Sequence, residues 1–194
     1  MSTIANQPGR DYPGKFIVVD GTLESVPGSD LGLFWHTAPL PPDFEVILEW
    51  LRWREDDNSG VFGRFPHPNS KGYGNTAYVG VHFGFEIQID QLARDDGAAI
   101  HKTGAIYDFA GPQNPNALPV NPPGQWNEFA IRAQGQHYEV DLNGQTVTTF
   151  DFVVGSDAAH PGRGLPSTQA DPRFMGLQPH TGRVAFRNIR VRAI

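Results

Sequence analysis

The chain has 194 residues, a formal charge of -6 and no cysteine. It is long enough for one domain with a sizeable core, carries no apolar run of bilayer length, and has no disulfide or thiolate chemistry open to it. Its acidic balance, without a dense basic patch, argues against a nucleic-acid partner. With 22 Gly, 17 Pro, 13 Phe, five Tyr and four Trp set among short alternating segments, it reads as an all-β protein.

Residues 1–13 read as a flexible or edge-covering arm. The opening "MSTIANQPGRDYPGK" has neither a basic start nor an apolar centre, so no signal peptide is expected there, and an extracytoplasmic location stays open. "KFIVVDG" is expected as the first strand, followed by "LGLFWHT" and the proline turn "APLPPD". "FEVILEWLRWR" is the longest extended segment, with Phe44, Val46, Leu48 and Trp50 on one face and Glu45, Ile47, Glu49, Leu51 and Trp53 on the other. Such a half-apolar outer row suits a strand covered on both sides or one lining a groove.

"EDDNSG" turns the chain, and "GVFGRF" is a short strand. "PHPNSKGYGNTAY" is predicted as a long polar loop and "VHFGFEIQID" as a strand. In that strand Phe85, Ile87 and Ile89 point one way and Glu86, Gln88 and Asp90 the other, which is either a solvated face or the floor of a site. "QLARDDGAAIHK" allows one helical turn, "TGAIYDF" is extended, and a second long loop follows. "WNEFAIRAQGQHYEVDLNGQTVTTFDF" reads as a meander, with Asn-Gly in "LNGQ" favouring a type I′ turn. After a third long loop, "RFMGLQPHTGRVAFRNIRVRAI" is predicted to close the chain as a hairpin, with a bulge at Asn188 where the alternation slips. Without repeats or a dividing linker, the expected architecture is a single-domain sandwich of two antiparallel sheets with long loops.

The segments "DFEVILEWLRW", "NSGVFGR", "FEIQIDQ", "TGAIYDF", "QWNEFAIRAQG", "LNGQTV" and "GLQPHTGRVAFRNIRV", in that order, resemble the 3-keto-disaccharide hydrolase domain family over most of residues 31–194. The resemblance implies a concanavalin A-like β-sandwich, or jelly roll, and an enzyme acting on sugars oxidised at C3. It marks Glu49, Asn58, Ser59, Arg64, Glu86, Gln88, Asp90 and His180 as positions to watch. Two stretches are longer than the family pattern, Arg64 to Glu86 and Gly155 to Arg173, and both bear on the pocket mouth.

A C3 ketone acidifies the C2 hydrogen, so a base can start an elimination that expels the C1 substituent, after which water adds back. Glu86, Glu49 and His180 are the candidate proton movers. Glu86 is the preferred base because it sits mid-strand with polar neighbours two and four positions on. Arg64 or a metal would stabilise the enolate, while Asn58, Gln88, Gln178, Arg64 and Trp53 are the candidate sugar contacts. No cofactor is certain; a calcium or manganese ion at Glu86 and Asp90 is tentative, and "REDDN" and "ARDDG" offer Asp56, Asp57, Asp95 and Asp96 as further oxygen donors.

A direct glycosidase would need two carboxyls roughly 5–9 Å apart. Glu86 and Asp90 would be about 13 Å apart along a strand, so Glu86 with Glu49 on a neighbouring strand is the better pair. The runner-up function is a non-catalytic carbohydrate-binding module, which would show an aromatic strip in place of converging Glu86, Glu49, Arg64 and His180. The expected partner is a mono-, di- or oligosaccharide derivative, and an open sheet edge with a long arm allows a homodimer.

Overall fold

The computed structural model describes residues 2–3, 13–28, 30–93 and 96–194. Its strands, in chain order, are β1 (Ser2–Thr3), β2 (Lys15–Val19), β3 (Thr22–Val26), β4 (Phe34–Trp35), β5 (Phe44–Arg52), β6 (Ser59–Phe65), β7 (Phe85–Ile89), β8 (Asn127–Gln134), β9 (His137–Leu142), β10 (Gln145–Asp151), β11 (Phe174–Pro179) and β12 (Val184–Ala193). They form a five-stranded sheet in the order β1-β4-β11-β6-β7 and a seven-stranded sheet in the order β10-β9-β8-β5-β12-β3-β2, with every strand pairing antiparallel. This is the all-β sandwich expected from the sequence. Most of the N-terminal arm lies outside the described residues.

The core forms where the apolar rows meet. Phe44, Val46, Leu48 and Trp50 from β5 and Phe85, Ile87 and Ile89 from β7 are all buried in one cluster between the sheets. The type I′ signal at "LNGQ" is realised, with φ of 49° at Asn143 and 79° at Gly144 between β9 and β10. The expected bulge is also present: the β12–β5 register slips between Arg187 and Arg190, with Asn188 at φ 51°.

Three local expectations are corrected. "VHFGFEIQID" is not one strand, because α1 (Ala77–Phe83) occupies its start and β7 begins only at Phe85. The Asn75 carboxamide accepts from Ala77 N at 3.0 Å, and the helix packs so closely that a Cβ on Gly80 would fall 2.9 Å from the Phe62 ring. β11 and β12 do not form a hairpin; the chain at 180–183 passes from the small sheet to the large one. "TGAIYDF" runs beside β7 through a single bridge, Ile106 to Ile87, and is not a full strand. The short 3-10 turn Ala99–His101 precedes it, in the segment expected to make one helical turn.

A second apolar cluster lies on the outer side of the small sheet. Leu31, Leu33, Trp35, Phe62, Phe65, Ala77 and Phe174 are buried there, with Tyr78 and Val81 of α1 packed on them. Among the described residues no helix is long and apolar enough to cross a membrane.

Candidate active site

The pleat of β7 answers the question posed by its sequence. With Phe85, Ile87 and Ile89 turned into the core, Glu86, Gln88 and the following Asp90 face outward from the small sheet, yet all three are buried. They line a cavity of about 310 Å³ together with Asn58, Gln178 and His180, the α1 side chains Tyr78 and Val81, and Leu31, His101 and Tyr107. That volume suits a small ligand such as a sugar.

The floor is a hydrogen-bonded set. Asn58 Nδ2 donates to Asp90 Oδ2 at 3.1 Å, and Leu92 N donates to Asp90 Oδ1 at 3.1 Å. With its amide turned to satisfy both ends, Gln88 donates to Glu86 Oε1 at 3.0 Å and to the Ser59 carbonyl at 3.2 Å. Ser59 Oγ donates to the Gln178 carbonyl, so this serine is a structural tie between β6 and β11. Room for the Glu86 carboxyl comes from Gly60, which has no Cβ to meet it.

The electrostatics single out Glu86. Burial, helped by the negative charge of Asp108 and opposed by a hydrogen bond from Gln178, pushes its carboxyl up to about 8. At the rim, burial pulls the His101 imidazole down, but hydrogen bonds to Asp96 (3.0 Å) and Asp108 (2.9 Å) outweigh it and raise the group. The His101 ring also lies against Tyr107, centroids 4.7 Å apart. The site therefore holds a carboxyl pushed up to about 8 by burial and an imidazole raised by its two carboxylate partners.

Of the residues anticipated from sequence, Glu86, Gln88, Asp90, Asn58, Gln178 and His180 meet in this cavity. Glu49 does not. It faces away from the core on the large sheet, where it accepts from Arg187 Nε and Asn188 Nδ2, both at 2.6 Å. The whole sandwich thus separates Glu49 from Glu86, and the direct-glycosidase pair is not formed. Arg64 is also elsewhere. One extra residue on β6 opposite β11 and a φ of 55° at Arg64 reverse the expected alternation. Its guanidinium is fully buried at one end of the core, donating to the carbonyls of Pro42 (2.6 Å), Gly135 (2.5 Å) and Gly164 (3.3 Å) and to Tyr138 Oη (2.8 Å).

Trp53 lies in the turn after β5, with the Arg183 guanidinium 3.9 Å from its ring centre, and it is not a cavity residue. Trp126 is covered in the same way by Arg187, also at 3.9 Å. Asp57 is spent on the turn: its carboxylate accepts from Trp53 N, Arg54 N and Arg183 N. Asp56 pairs with Arg54 at 2.6 Å, and Asp95 lies outside the described residues. Calcium and manganese call for several converging hard ligands. Among the described residues no group of three His, Asp or Glu side chains is placed to hold one ion, and Asp90 serves as a hydrogen-bonded residue of the floor.

Sequence reading missed Tyr78, Val81, Leu31 and the role of His101. The first two depend on α1, whose only local signals are the Asn75 carboxamide that precedes it and the spacing of small and apolar residues in "AYVGV". Of the two stretches expected to bear on the pocket mouth, only 64–86 supplies lining residues, Tyr78, Val81 and Glu86. Residues 64–86 contain α1, and Arg163 from the 155–173 loop donates to the carbonyls of Val81 and His82 at the end of that helix.

Comparison with known proteins fits this geometry. A model described as 3-keto-alpha-glucoside-1,2-lyase-like domain matches residues 4–192. The chain belongs to the 3-keto-alpha-glucoside-1,2-lyase-like domain family. Among solved structures, this family member is similar to a "putative glycosyl hydrolase" from Parabacteroides distasonis, with 27% identity over 92% of this chain and 90% of that one and a TM-score of 0.66. A second protein of the same description and organism has 21% identity, covers 92% and 83%, and has a TM-score of 0.68. A Bacillus subtilis protein of unknown function with a galectin-like fold shares the architecture at 13% identity, covering 92% and 86% with a TM-score of 0.62. No curated protein matches.

Proposed function

We propose that the protein cleaves the glycosidic bond of a 3-keto-glycoside by elimination followed by hydration. The observation that carries this reading is Glu86, a buried carboxyl raised to about 8 on the floor of a sugar-sized cavity that also contains His180. A carboxylate of raised basicity is a fit base for a carbon acid made labile by a neighbouring ketone.

Glu86 removes the C2 proton, and the electron pair moves onto the C3 oxygen as an enolate. As the ketone re-forms, the C1–O bond breaks and His180 gives a proton to, or holds, the departing oxygen. The products are the free leaving-group sugar and a 3-keto-2-hydroxyglycal. Water then adds across the C1–C2 double bond, its proton returning to C2 and its hydroxyl to C1, and the 3-keto-sugar is released. With Arg64 outside the cavity, neutral donors on the wall, the Gln178 amide and the Tyr107 hydroxyl, are the groups assigned to the C3 oxygen.

The test is a product assay. The protein is incubated with 3-keto-disaccharides of several linkages, and the free sugar and the 2-hydroxyglycal are followed. Release that disappears in folded Glu86→Gln is the expected result. Saturable sugar binding without turnover on any linkage would move the assignment to a carbohydrate-binding module.

A further inference from the structure

The loop between β10 and β11 lies against the end of α1, and its residues 157–163 form a turn of their own. Asp157 Oδ1 accepts from Ala159 N at 3.0 Å and from His160 N at 3.1 Å, Asp157 Oδ2 pairs with Arg163 Nη1 at 3.3 Å, and Arg163 N donates to the His160 carbonyl at 3.1 Å. The next residue is anchored in the core: the Gly164 carbonyl accepts from Arg64 Nη1 and from Tyr138 Oη, both at 3.3 Å. From this base the turn grips the helix twice. Arg163 Nε donates to the His82 carbonyl at 2.9 Å and Nη2 donates to the Val81 carbonyl, so one buried guanidinium serves two carbonyls of the kind that the last turn of a helix leaves unpaired. The His160 ring stacks on the His82 ring, with centroids 4.9 Å apart and planes 8° from parallel, and meets the Phe83 ring at 4.7 Å. Tyr78 and Val81 of the same helix line the cavity, so the turn bears on the wall without belonging to it.

The grip depends on charge. A proton on His82 would place a cation against a stacked imidazole and beside the Arg163 guanidinium. Burial, His160 and Arg163 together pull the His82 imidazole below the ordinary histidine range, against the opposing charge of Asp157. The other groups around it are Tyr73, whose hydroxyl is hydrogen-bonded to His82 Nδ1 at 2.8 Å, and Tyr78, whose ring lies 5.6 Å away. Lys71 sits 4.5 Å above the Phe83 ring, and Asp108 acts on Arg163 from the far side of the turn. His82 therefore binds a proton less tightly in place than when freed. Above about pH 6.5 neither form is charged and the grip is at full strength; as pH falls below that value the freed histidine gains its proton first and the grip weakens.

We propose that residues 157–163 are a clasp that positions α1, and with it Tyr78 and Val81, in the wall of the cavity, and that a proton on His82 loosens it. The test is hydrogen exchange at pH 7.5 and pH 5.0, each rate divided by that of an unstructured chain at the same pH, with β8 as the internal reference. In the wild type, protection of residues 77–84 and 157–164 should fall about threefold or more at pH 5.0, while β8 does not lose protection. His82→Gln, which cannot take up the proton, should abolish the fall. Arg163→Gln should leave the same two segments weakly protected at both pH values.

Equal protection of the two segments at both pH values in the wild type overturns the proposal, and so does a fall that persists in folded His82→Gln. Unchanged protection in folded Arg163→Gln removes the clasp itself. A His82 midpoint at or above about 6.5, read by NMR in the wild type, overturns the proton's role even where the variant does not fold. One further arm rests on the function proposed above: KM for a 3-keto-disaccharide should rise at pH 5.0 in the wild type and stay level in His82→Gln. The two readings fail separately. Absent turnover with the expected exchange pattern sinks the reaction and leaves the clasp, and normal turnover with flat exchange does the reverse.

Discussion

Gly60 and Glu86 approach so closely across the β6–β7 ladder that a methyl group on Gly60 would lie 2.3 Å from Glu86 Oε1. The missing side chain at position 60 is the space in which the carboxyl sits. Gly60→Ala is therefore expected to displace Glu86 while the sheet persists. Overpacking of this sort costs about 1–3 kcal/mol. Turnover should fall at least tenfold, with an unchanged circular dichroism spectrum and a modest drop in Tm; full activity in Gly60→Ala would mean that the Glu86 position is not critical.

The raised Glu86 carboxyl has a consequence for stability. Its proton is held up to about pH 8 in the folded protein, against an ordinary value of 4.5. Between those limits the folded state binds the extra proton, so the stabilisation is complete below about 4.5 and is lost as pH rises through about 8. Glu86→Gln removes this dependence. Urea midpoints at pH 5 and pH 8.5 should show the variant gaining on the wild type at the higher pH, whereas parallel profiles would rule out the buried ionisation.

The same group sets the expected rate profile. A base must be unprotonated, so the acid limb of kcat/KM should rise with pH up to about 8, where Glu86 ionises. A profile flat from pH 6 to 9 would remove Glu86 from the role of base.

Glu49 offers a control on the opposite side of the sandwich. Its ion pair with Arg187 is partly exposed, with side chains 22% and 40% accessible, and such pairs contribute about 0.2–1 kcal/mol. Glu49→Gln should keep turnover within twofold and lower Tm by no more than a few degrees. A hundredfold loss of activity would return Glu49 to the chemistry.

Arg64 should behave in the opposite sense. Removing its guanidinium takes a donor from three carbonyls and from the Tyr138 hydroxyl, which keeps its bond to the Gly164 carbonyl. Arg64→Ala is expected to destabilise by about 3–5 kcal/mol, in line with the loss of a buried hydrogen-bond network. The folded fraction should retain the KM of the wild type, as measured by denaturation and steady-state kinetics together.

How much of the molecule is legible in its sequence depends on the range of each signal. The β5 and β7 alternation is local, so it locates the core face and puts Glu86, Gln88 and Asp90 on one side. The Asn143–Gly144 turn and the Asn188 bulge are equally local. Arg64 escapes because an extra residue on β6 inverts the face that alternation assigns to it. Glu49 is misplaced because strand pleat says which residues share a face and not which sheet the strand joins. Tyr78 and His180 lie far apart in sequence, and only the packing of α1 and the end of β11 brings both to the cavity.

The path of the chain also dictates when the cavity can exist. Ser59 is tied to Gln178, 119 positions later, and β11 is the strand that joins β4 to β6. Until β11 arrives, the small sheet is split into two pieces with open edges. Contacts of such separation form slowly, since a long loop must close before they reward it. During synthesis the floor of the cavity is therefore among the last parts to be completed, and a chain cut short before residue 174 would carry Glu86 without the strand that completes the cavity.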